Sequence, residues 1–228
     1  MTKIISIAGL PCCGKTTLCN SFASLRNGLS LDLEYLRTMF FEEDIENNVF
    51  KFTHNEPIKE DEDLRTYFLR CVIYDKIITL DEYIEWYKVI MEYMNRTILK
   101  ILNDFRDLDY EDFISKYSKI IKWSPFDKPD LIVLNHALLP LTDIWKDSTL
   151  SIMLTGEESV LIERFVEREK LGSNRIKYGV DILRHMNLYS VLNNGAKASI
   201  VYDTTNNFMD IRQIENILKG NIEDETRD

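Results

Sequence analysis

The sequence predicts an α/β fold, in which a parallel sheet of about five strands is flanked by helices and carries an inserted helical lobe. Short β-rich apolar runs recur along the chain, and segments with apolar residues at helical spacing follow them. A long helical tract interrupts this alternation between the second and the third run. Hydrophobic residues make up 45% of the 228 residues, which is enough for one core and an accessory lobe.

The predicted elements follow in order along the chain. Strands are predicted from short apolar and β-branched runs at residues 3–8, 29–33, 130–135, 149–154 and 198–202. Helices are predicted from amphipathic spacing at residues 15–25, 157–171 and 211–218. Acidic residues begin the segment 157–171 and Gly172 follows it, which are helix start and stop signals. Residues 64–121 are predicted to form a helical tract without a strand.

Composition and charge limit the partners of the chain. The formal net charge is −10 and the isoelectric point is near 4.9, so we expect no nucleic acid polymer as a partner. No apolar stretch approaches the roughly 20 residues that span a bilayer, so no membrane partner is expected. Cys12, Cys13, Cys19 and Cys71 match neither a disulfide framework nor a metal site, which favours reduced thiols and a cytoplasmic location.

A phosphate-binding loop (P-loop) is predicted between the first strand and the first helix. Residues 9–16, Gly-Leu-Pro-Cys-Cys-Gly-Lys-Thr, match the pattern G-x-x-x-x-G-K-[ST]. Glycines let such a loop wrap a phosphate, and the following helix adds its positive end. We therefore expect ATP and Mg²⁺ as cofactors, with Lys15 on the β- and γ-phosphates and Thr16 on the metal ion. The predicted nucleotide-binding residues here are Gly9, Leu10, Pro11, Cys12, Cys13, Gly14, Lys15, Thr16 and Thr17.

Motifs that the chain lacks narrow the class of P-loop protein. A regulatory GTPase carries D-x-x-G after a strand and N/T-K-x-D for guanine, and neither pattern occurs in the sequence. The Walker B strand of motor and transporter ATPases ends in an acidic residue, whereas the run 131–134 is followed by Asn135. Small-molecule kinases tolerate this difference because another Asp or Glu can position the metal ion. The sequence therefore favours a small-molecule kinase.

Asp32 is the predicted catalytic base and a predicted metal ligand. It ends the second strand at the carboxyl edge of the sheet, where open α/β sheets bind ligands. From there its carboxylate could accept the proton of an acceptor hydroxyl. Capping of the following helix is the alternative role, and Glu34 is a second candidate for the base. His136 also ends a strand and could touch the acceptor, although a structural histidine is favoured.

An arginine lid is predicted after the fourth strand. Arg164 and Arg168 share a helix face because they are four residues apart. Arg175 follows in a segment between Gly172 and Gly179 that could move. These arginines are predicted to bind the phosphates of ATP, with Arg168 and Lys15 in catalytic roles at the transferring phosphoryl group. Pairing with glutamates on a solvated helix is the alternative.

These features divide the chain into a core, a lobe and a tail. Residues 1–41 and 126–220 are predicted to form the nucleotide-binding core. Residues 42–125 are predicted to form the inserted lobe that selects the acceptor. The acidic tail, residues 221–228, is expected to fray.

The order of these motifs resembles that of dephospho-CoA kinase over nearly the whole chain. Besides the P-loop, the likeness lies in residues 31–34 with Arg37, in Leu138-Leu139 of the segment 130–141, and in the R-x-x-x-R of Arg164 and Arg168. The resemblance implies a P-loop kinase-type sheet and a role in coenzyme A biosynthesis. The implied reaction is ATP-dependent phosphorylation of the ribose 3′-hydroxyl of dephospho-CoA, with Asp32 as the base.

Two other functions stay open. The wider group of nucleoside and nucleotide kinases shares these features, so the acceptor could be a nucleoside or a nucleoside monophosphate. A P-loop protein without catalysis, acting as a nucleotide sensor or scaffold, is the alternative of another class, because Asn135 replaces an acid. In each case the partner is a small molecule, and we expect a monomer or a small homo-oligomer.

Overall fold

The computed structural model describes residues 2–33, 80–137, 139–169, 197–209 and 212–216, and in the helix that begins at Leu80 it describes side chains from Met94 onward. Its strands are β1 Lys3–Gly9, β2 Leu29–Asp32, β3 Ile121–Trp123, β4 Leu131–Asn135, β5 Leu150–Thr155 and β6 Ile200–Asp203. Its helices are α1 Lys15–Leu25, α2 Leu80–Asp107, α3 Tyr110–Tyr117, α4 Asp143–Asp147 and α5 Glu158–Glu169. A 3₁₀ turn covers Leu139–Leu141, and residues 212–216 are helical.

The strands form a six-stranded sheet in the order β3-β2-β4-β1-β5-β6. Every neighbouring pair from β2 to β6 is parallel, and β3 pairs antiparallel with β2 at one edge. The central strand β1 lies between β4 and β5. The chain therefore has an α/β fold with a mostly parallel sheet flanked by helices, as the sequence predicts. The five predicted strands correspond to the five parallel ones.

The edge strand β3 corrects the prediction of a helical tract up to residue 121. Helix α3 ends at Tyr117, and β3 begins at Ile121. The strand has three residues, which is too short to show an alternating pattern in the sequence. It exists because its backbone pairs with β2, where Leu31 faces Ile121 and Ser30 faces Trp123.

The two faces of the sheet carry separate hydrophobic cores. On one face α2, α3 and α4 cover the sheet, with Phe105 and Phe113 in edge-to-face contact at a centroid distance of 5.1 Å. On the other face α1, α5 and the helical segment 212–216 contribute Phe22, Phe165 and Ile214. Both faces are thus covered by helices, as a parallel sheet requires. Among the described helices, none combines the length and the apolar character needed to cross a membrane.

Part of the predicted lobe packs on the sheet. From α2, Met94, Ile98, Ile101 and Phe105 belong to the same buried cluster as strand residues of β2 and β4. The predicted lobe boundary at residue 125 therefore includes segments that cover the core sheet. The division into core, lobe and tail stays a prediction, and the tail 221–228 lies outside the described residues.

Candidate active site

The P-loop connects the end of β1 to the start of α1. Gly9, Cys12 and Gly14 have positive φ angles of 147°, 65° and 85°. Gly14 precedes the first helical residue, Lys15, in a left-handed conformation, and no side chain caps the helix. The first turn of α1 contains no acidic residue that would compete for its N–H groups. This helix terminus has the positive potential and the donors that bind a phosphate.

Both glycines of the motif are required by their surroundings. A Cβ atom on Gly9 would collide with the backbone carbonyl oxygen of Leu154 and lie 2.9 Å from its Cβ atom. A Cβ atom on Gly14 would lie 2.7 Å from Cδ1 of Phe208. At Gly9 the obstacle is the neighbouring strand β5, and at Gly14 it is a side chain from the loop after β6. The P-loop is therefore closely packed by two other parts of the core.

The side chain of Lys15 turns back over the P-loop and bonds to its backbone. Its Nζ atom donates a hydrogen bond of 3.0 Å to the carbonyl oxygen of Leu10, and only 7% of the residue is exposed. A nearly buried ammonium group held by the loop backbone is positioned to exchange this carbonyl for phosphate oxygens.

Thr16 is joined to the end of β4. The Nδ2 atom of Asn135 donates a hydrogen bond of 2.9 Å to Oγ1 of Thr16. Asn135 is 1% exposed, and its Oδ1 atom has no hydrogen-bond partner in the part of the chain that the structure describes. The sequence identified Asn135 only as the site of a missing acid. Its contact with Thr16 links positions 119 residues apart, so no local pattern could reveal it.

Asp32 lies beside this pair. Asp32 at the end of β2 and Asn135 at the end of β4 are register partners on neighbouring parallel strands, so their side chains are on the same face of the sheet. Asp32 is 7% exposed, and its backbone N–H donates to the carbonyl oxygen of Ile120. The structure thus brings Thr16, Asp32 and Asn135 to one corner of the sheet edge.

This corner suits a magnesium ion bound together with phosphates. Thr16 and Asp32 offer a hydroxyl and a carboxylate oxygen, and Oδ1 of Asn135 is a further buried oxygen without a partner among the described residues. Among those residues there is no group of three or more His, Cys, Asp and Glu side chains that could hold a metal ion alone. Mg²⁺ characteristically takes one or two protein oxygens and completes its shell with phosphates and water, so the residues present fit it.

Arg164 contacts the loop that follows β6. Its Nη2 atom donates to the carbonyl oxygens of Thr204 and Thr205 at 2.7 and 3.2 Å. The guanidinium carbon lies 4.3 Å from the ring centroid of Phe208, and that ring is also the one beside Gly14. Phe208 is 52% exposed. Arg164 and Phe208 therefore form a stacked pair at the border of the P-loop.

The other predicted site residues are less closely joined to the P-loop. Arg168 lies with its guanidinium carbon 5.3 Å from the ring centroid of Phe165. His136 is buried, and its backbone N–H donates to the carbonyl oxygen of Ile7 at 3.2 Å. Glu34 and Arg175 lie outside the described residues, as does the segment between Gly172 and Gly179. The predicted roles of these residues stay predictions.

Two P-loop-proximal cysteines are deeply buried. Burial raises the pKa of the Cys13 thiol, and the nearby Lys15 ammonium opposes this only in part. Burial also raises the pKa of Cys19 to about 12, and its sulfur contacts the Ser30 hydroxyl at 3.2 Å. Cys12 is only partly buried. The buried thiols are packing groups with little thiolate at neutral pH.

Comparison with known proteins finds similarity only at the level of solved structures. No family model matches the sequence, and no curated protein matches it. TT1252 from Thermus thermophilus is similar at 15% identity and a TM-score of 0.49, over 98% of this chain and 97% of that chain. Shikimate kinase from Bacteroides thetaiotaomicron is similar at 13% identity and a TM-score of 0.42, over 98% of this chain and 99% of that chain. Dephospho-CoA kinase from Campylobacter jejuni is similar at 14% identity and a TM-score of 0.37, over 96% of each chain.

Proposed function

We propose that this chain is a small-molecule kinase that transfers the γ-phosphate of MgATP to a hydroxyl group of its acceptor. The observation that carries the proposal is that side chains from three segments, the P-loop, β2 and β4, lie together at one edge of the sheet. The P-loop supplies Lys15 and Thr16, β2 supplies Asp32, and the end of β4 fixes Thr16 through Asn135. A phosphate site beside a nearly buried carboxylate is suited to hydroxyl activation next to a bound triphosphate.

The reaction assigns one task to each of these groups. The acceptor oxygen attacks the γ-phosphorus, and its proton passes to the carboxylate of Asp32. The bond between the γ-phosphorus and the bridging oxygen breaks, and ADP leaves with that oxygen. Lys15 exchanges its bond with the Leu10 carbonyl for phosphate oxygens and stabilises their charge in the transition state.

A magnesium ion would be held by Thr16 and Asp32 together with the phosphates. When bound, it neutralises phosphate charge and draws electron density from the leaving oxygen. The protein orients the hydroxyl of Thr16 through its hydrogen bond with Asn135. The burial of Asp32 and Asn135 limits the access of water to this corner.

Arg164 and Phe208 are proposed to bind the nucleoside part of ATP. The sequence led us to expect Arg164 on the phosphates, but its hydrogen bonds to Thr204 and Thr205 direct it to the loop after β6. An arginine stacked on a half-exposed ring beside Gly14 offers flat surfaces to a nucleobase whose phosphates enter the P-loop. Arg168 and Arg175 remain the proposed phosphate ligands of the lid.

The proposed acceptor is the ribose 3′-hydroxyl of dephospho-CoA, on the resemblance of the sequence motifs. Nucleosides and nucleoside monophosphates are the alternative acceptors.

A sensor or scaffold that binds nucleotide without catalysis is the second candidate function, and the amide in place of an acid at Asn135 favours it. The expected cytoplasmic location and the oligomeric state stay predictions.

Acceptor-dependent formation of ADP from MgATP tests the proposal. The acceptors are dephospho-CoA and a panel of nucleosides and nucleoside monophosphates. We expect Lys15→Ala to abolish turnover and Asp32→Asn to lower kcat by about 100-fold or more while ATP still binds. Matched controls are Lys146→Ala and Asp147→Asn, because both residues are exposed on α4.

The outcomes separate the candidates. Turnover with dephospho-CoA that is lost in Lys15→Ala supports both the reaction and the acceptor. Turnover only with a nucleoside or a nucleotide keeps the kinase and replaces the acceptor. ATP binding without turnover across the panel would favour the sensor, and an unchanged kcat in Asp32→Asn would exclude Asp32 as the base.

A further inference from the structure

The amide of Asn135 is only half satisfied. Its Nδ2 atom donates to Oγ1 of Thr16 at 2.9 Å, while its Oδ1 atom is buried and has no partner among the described residues. It is unfavourable to bury an amide oxygen without a hydrogen bond, so a bound state that gives Oδ1 a donor is favoured over one that does not. Oδ1 lies at the end of a strand beside the P-loop, so we expect it to gain a hydrogen bond when a ligand binds there.

The chemistry of the Thr16 hydroxyl indicates what that state is. A hydroxyl has one proton and two lone pairs, and a hydroxyl that ligates a cation must direct its proton elsewhere. With Nδ2 of Asn135 donating, one lone pair of Thr16 is occupied and its proton is not taken up by this amide. A half-turn of the amide about its Cβ–Cγ bond exchanges its two ends. Oδ1 then accepts the Thr16 proton, and the lone pairs of Thr16 face away from the amide.

We propose that Asn135 is a positioning residue for the cation that binds with the nucleotide. In that bound state its Oδ1 atom accepts the proton of Thr16 and so directs a lone pair of the Thr16 hydroxyl to the metal ion. The carboxylate of Asp32, on the same face of the sheet, is an acceptor suited to Nδ2 after the turn. A neutral amide thus does what an acidic side chain could do, without a second negative charge beside Asp32. This inference rests on the proposed binding of MgATP.

A purely structural role for Asn135 makes a different prediction. In that role the hydrogen bond to Thr16 only ties α1 to β4, and its loss weakens ATP binding equally with and without a metal ion. The quantity that separates the two roles is therefore the metal-dependent gain. We define this gain as the Kd of ATP in EDTA divided by its Kd in Mg²⁺, both measured by calorimetry without any acceptor.

We expect Asn135→Ala and Asn135→Leu to lower the metal-dependent gain by about 10- to 100-fold, which is the usual effect of removing a group that orients a metal ligand. The Kd in EDTA should change little, and it also reports whether each variant is folded. Leu fills the space of the amide, so it serves where Ala leaves the chain unfolded. Asn135→Asp should keep the gain at or above that of the unmodified protein, because a carboxylate also accepts the Thr16 proton.

A double-mutant cycle with Thr16→Val identifies the route of the effect. If Asn135 acts through Thr16, the variant with both Thr16→Val and Asn135→Leu should show the same gain as Thr16→Val alone. Asn95→Ala is the matched control, since Asn95 donates its amide to Asp143 at 2.8 Å away from the P-loop. Its gain should equal that of the unmodified protein.

The measurements distinguish failure of this inference from failure of the proposed function. If the unmodified protein binds ATP with a metal-dependent gain and Asn135→Leu retains that gain, this inference is wrong and the kinase proposal stands. Additive losses in the double variant would equally overturn it. If the unmodified protein binds no ATP in either condition, the proposed function itself fails, and this inference fails with it.

Discussion

The ring of Phe208 lies against the backbone of Gly14. A Cβ atom on Gly14 would be 2.7 Å from Cδ1 of Phe208, so the loop after β6 touches the P-loop at the start of α1. The same ring stacks with Arg164 of α5. Three segments that are distant in sequence therefore meet at the start of α1.

Alanine at the two P-loop glycines should have different effects. At Gly9 the added Cβ atom meets the backbone of Leu154, which cannot move without displacing β5, and we expect a loss of roughly 2–4 kcal/mol of unfolding free energy. At Gly14 the obstacle is the half-exposed Phe208 ring, which can turn away. Gly14→Ala should therefore cost only about 1–2 kcal/mol, from its positive φ, but should strongly weaken ATP binding.

Urea unfolding and ATP calorimetry on both glycine variants check this. Because the Phe208 ring can turn away, adding Phe208→Ala to Gly14→Ala should not restore the stability that the positive φ at residue 14 costs. Equal stability losses in Gly9→Ala and Gly14→Ala would contradict the difference between a backbone and a side-chain obstacle.

Arg164 and Phe208 should contribute to the binding of ATP but not to the binding of a triphosphate chain without a nucleoside. If they bind the nucleoside part, Arg164→Met and Phe208→Leu should weaken ATP binding by about tenfold each, since stacking contributes about 1–2 kcal/mol. Binding of inorganic tripolyphosphate should change by less than about twofold, because the P-loop is untouched. Competition calorimetry with both ligands measures this. An equal loss for tripolyphosphate in Arg164→Met would return Arg164 to the phosphate role expected from the sequence.

Local patterns in the sequence predict most of what positions the site. The P-loop is recognisable because its glycines, Lys15 and Thr16 are close together in the chain and lie between a strand and a helix. Four of the parallel strands, β1, β2, β4 and β5, are recognisable because they are mostly buried apolar runs, whereas β6 is apolar but partly exposed. Asp32 could be placed at the sheet edge because it ends such a run.

Contacts between distant residues could not be predicted in this way. Asn135 bonds to Thr16 across 119 positions, and Arg164 bonds to Thr204 across 40. Neither contact leaves a spacing that a single sequence reveals. The edge strand β3 was missed for the same reason, since three residues become a strand only through pairing with β2.

Asp104 should stabilise the fold in a pH-dependent manner. Hydrogen bonds from Lys116 at 2.7 Å and Tyr117 at 2.5 Å lower the pKa of its carboxyl group. A lowered pKa in the folded chain means that the stabilisation is present above the unfolded pKa of about 3.9 and is lost as the pH falls through the folded value. We expect Asp104→Asn to lower the unfolding free energy by about 1 kcal/mol at pH 7.

Urea unfolding of Asp104→Asn at several pH values tests this linkage. The difference from the unmodified protein should shrink as the pH falls from the unfolded pKa of about 3.9 to the lowered folded pKa, below which the carboxyl group is protonated in both states. Asp127→Asn is the control, since Asp127 is exposed in the loop after β3. A difference that stays constant from pH 7 to pH 3 would show that the charge of Asp104 does not contribute.

The thiols near the P-loop should differ in reactivity. Alkylation requires the thiolate, and burial raises the pKa of Cys19 from 9.0 to about 12, which lowers its thiolate fraction about a thousandfold at neutral pH. Burial also raises the pKa of Cys13. In the native protein at pH 7.4 we expect iodoacetamide to modify the partly exposed Cys12 and to leave Cys13 and Cys19 unmodified. Peptide mass spectrometry with fragment assignment locates each adduct.

Denaturation in urea provides the control, because it exposes all the thiols and should make Cys12, Cys13 and Cys19 react at similar rates. If ATP binds over the P-loop as proposed, it should also slow the modification of Cys12, and Lys15→Ala should remove this protection. Modification of Cys19 in the native protein as fast as that of Cys12 would contradict its burial between α1 and the sheet. If ATP still protects Cys12 in Lys15→Ala, then ATP shields this thiol without contacting Lys15. That result would contradict the proposed binding of the phosphates by Lys15.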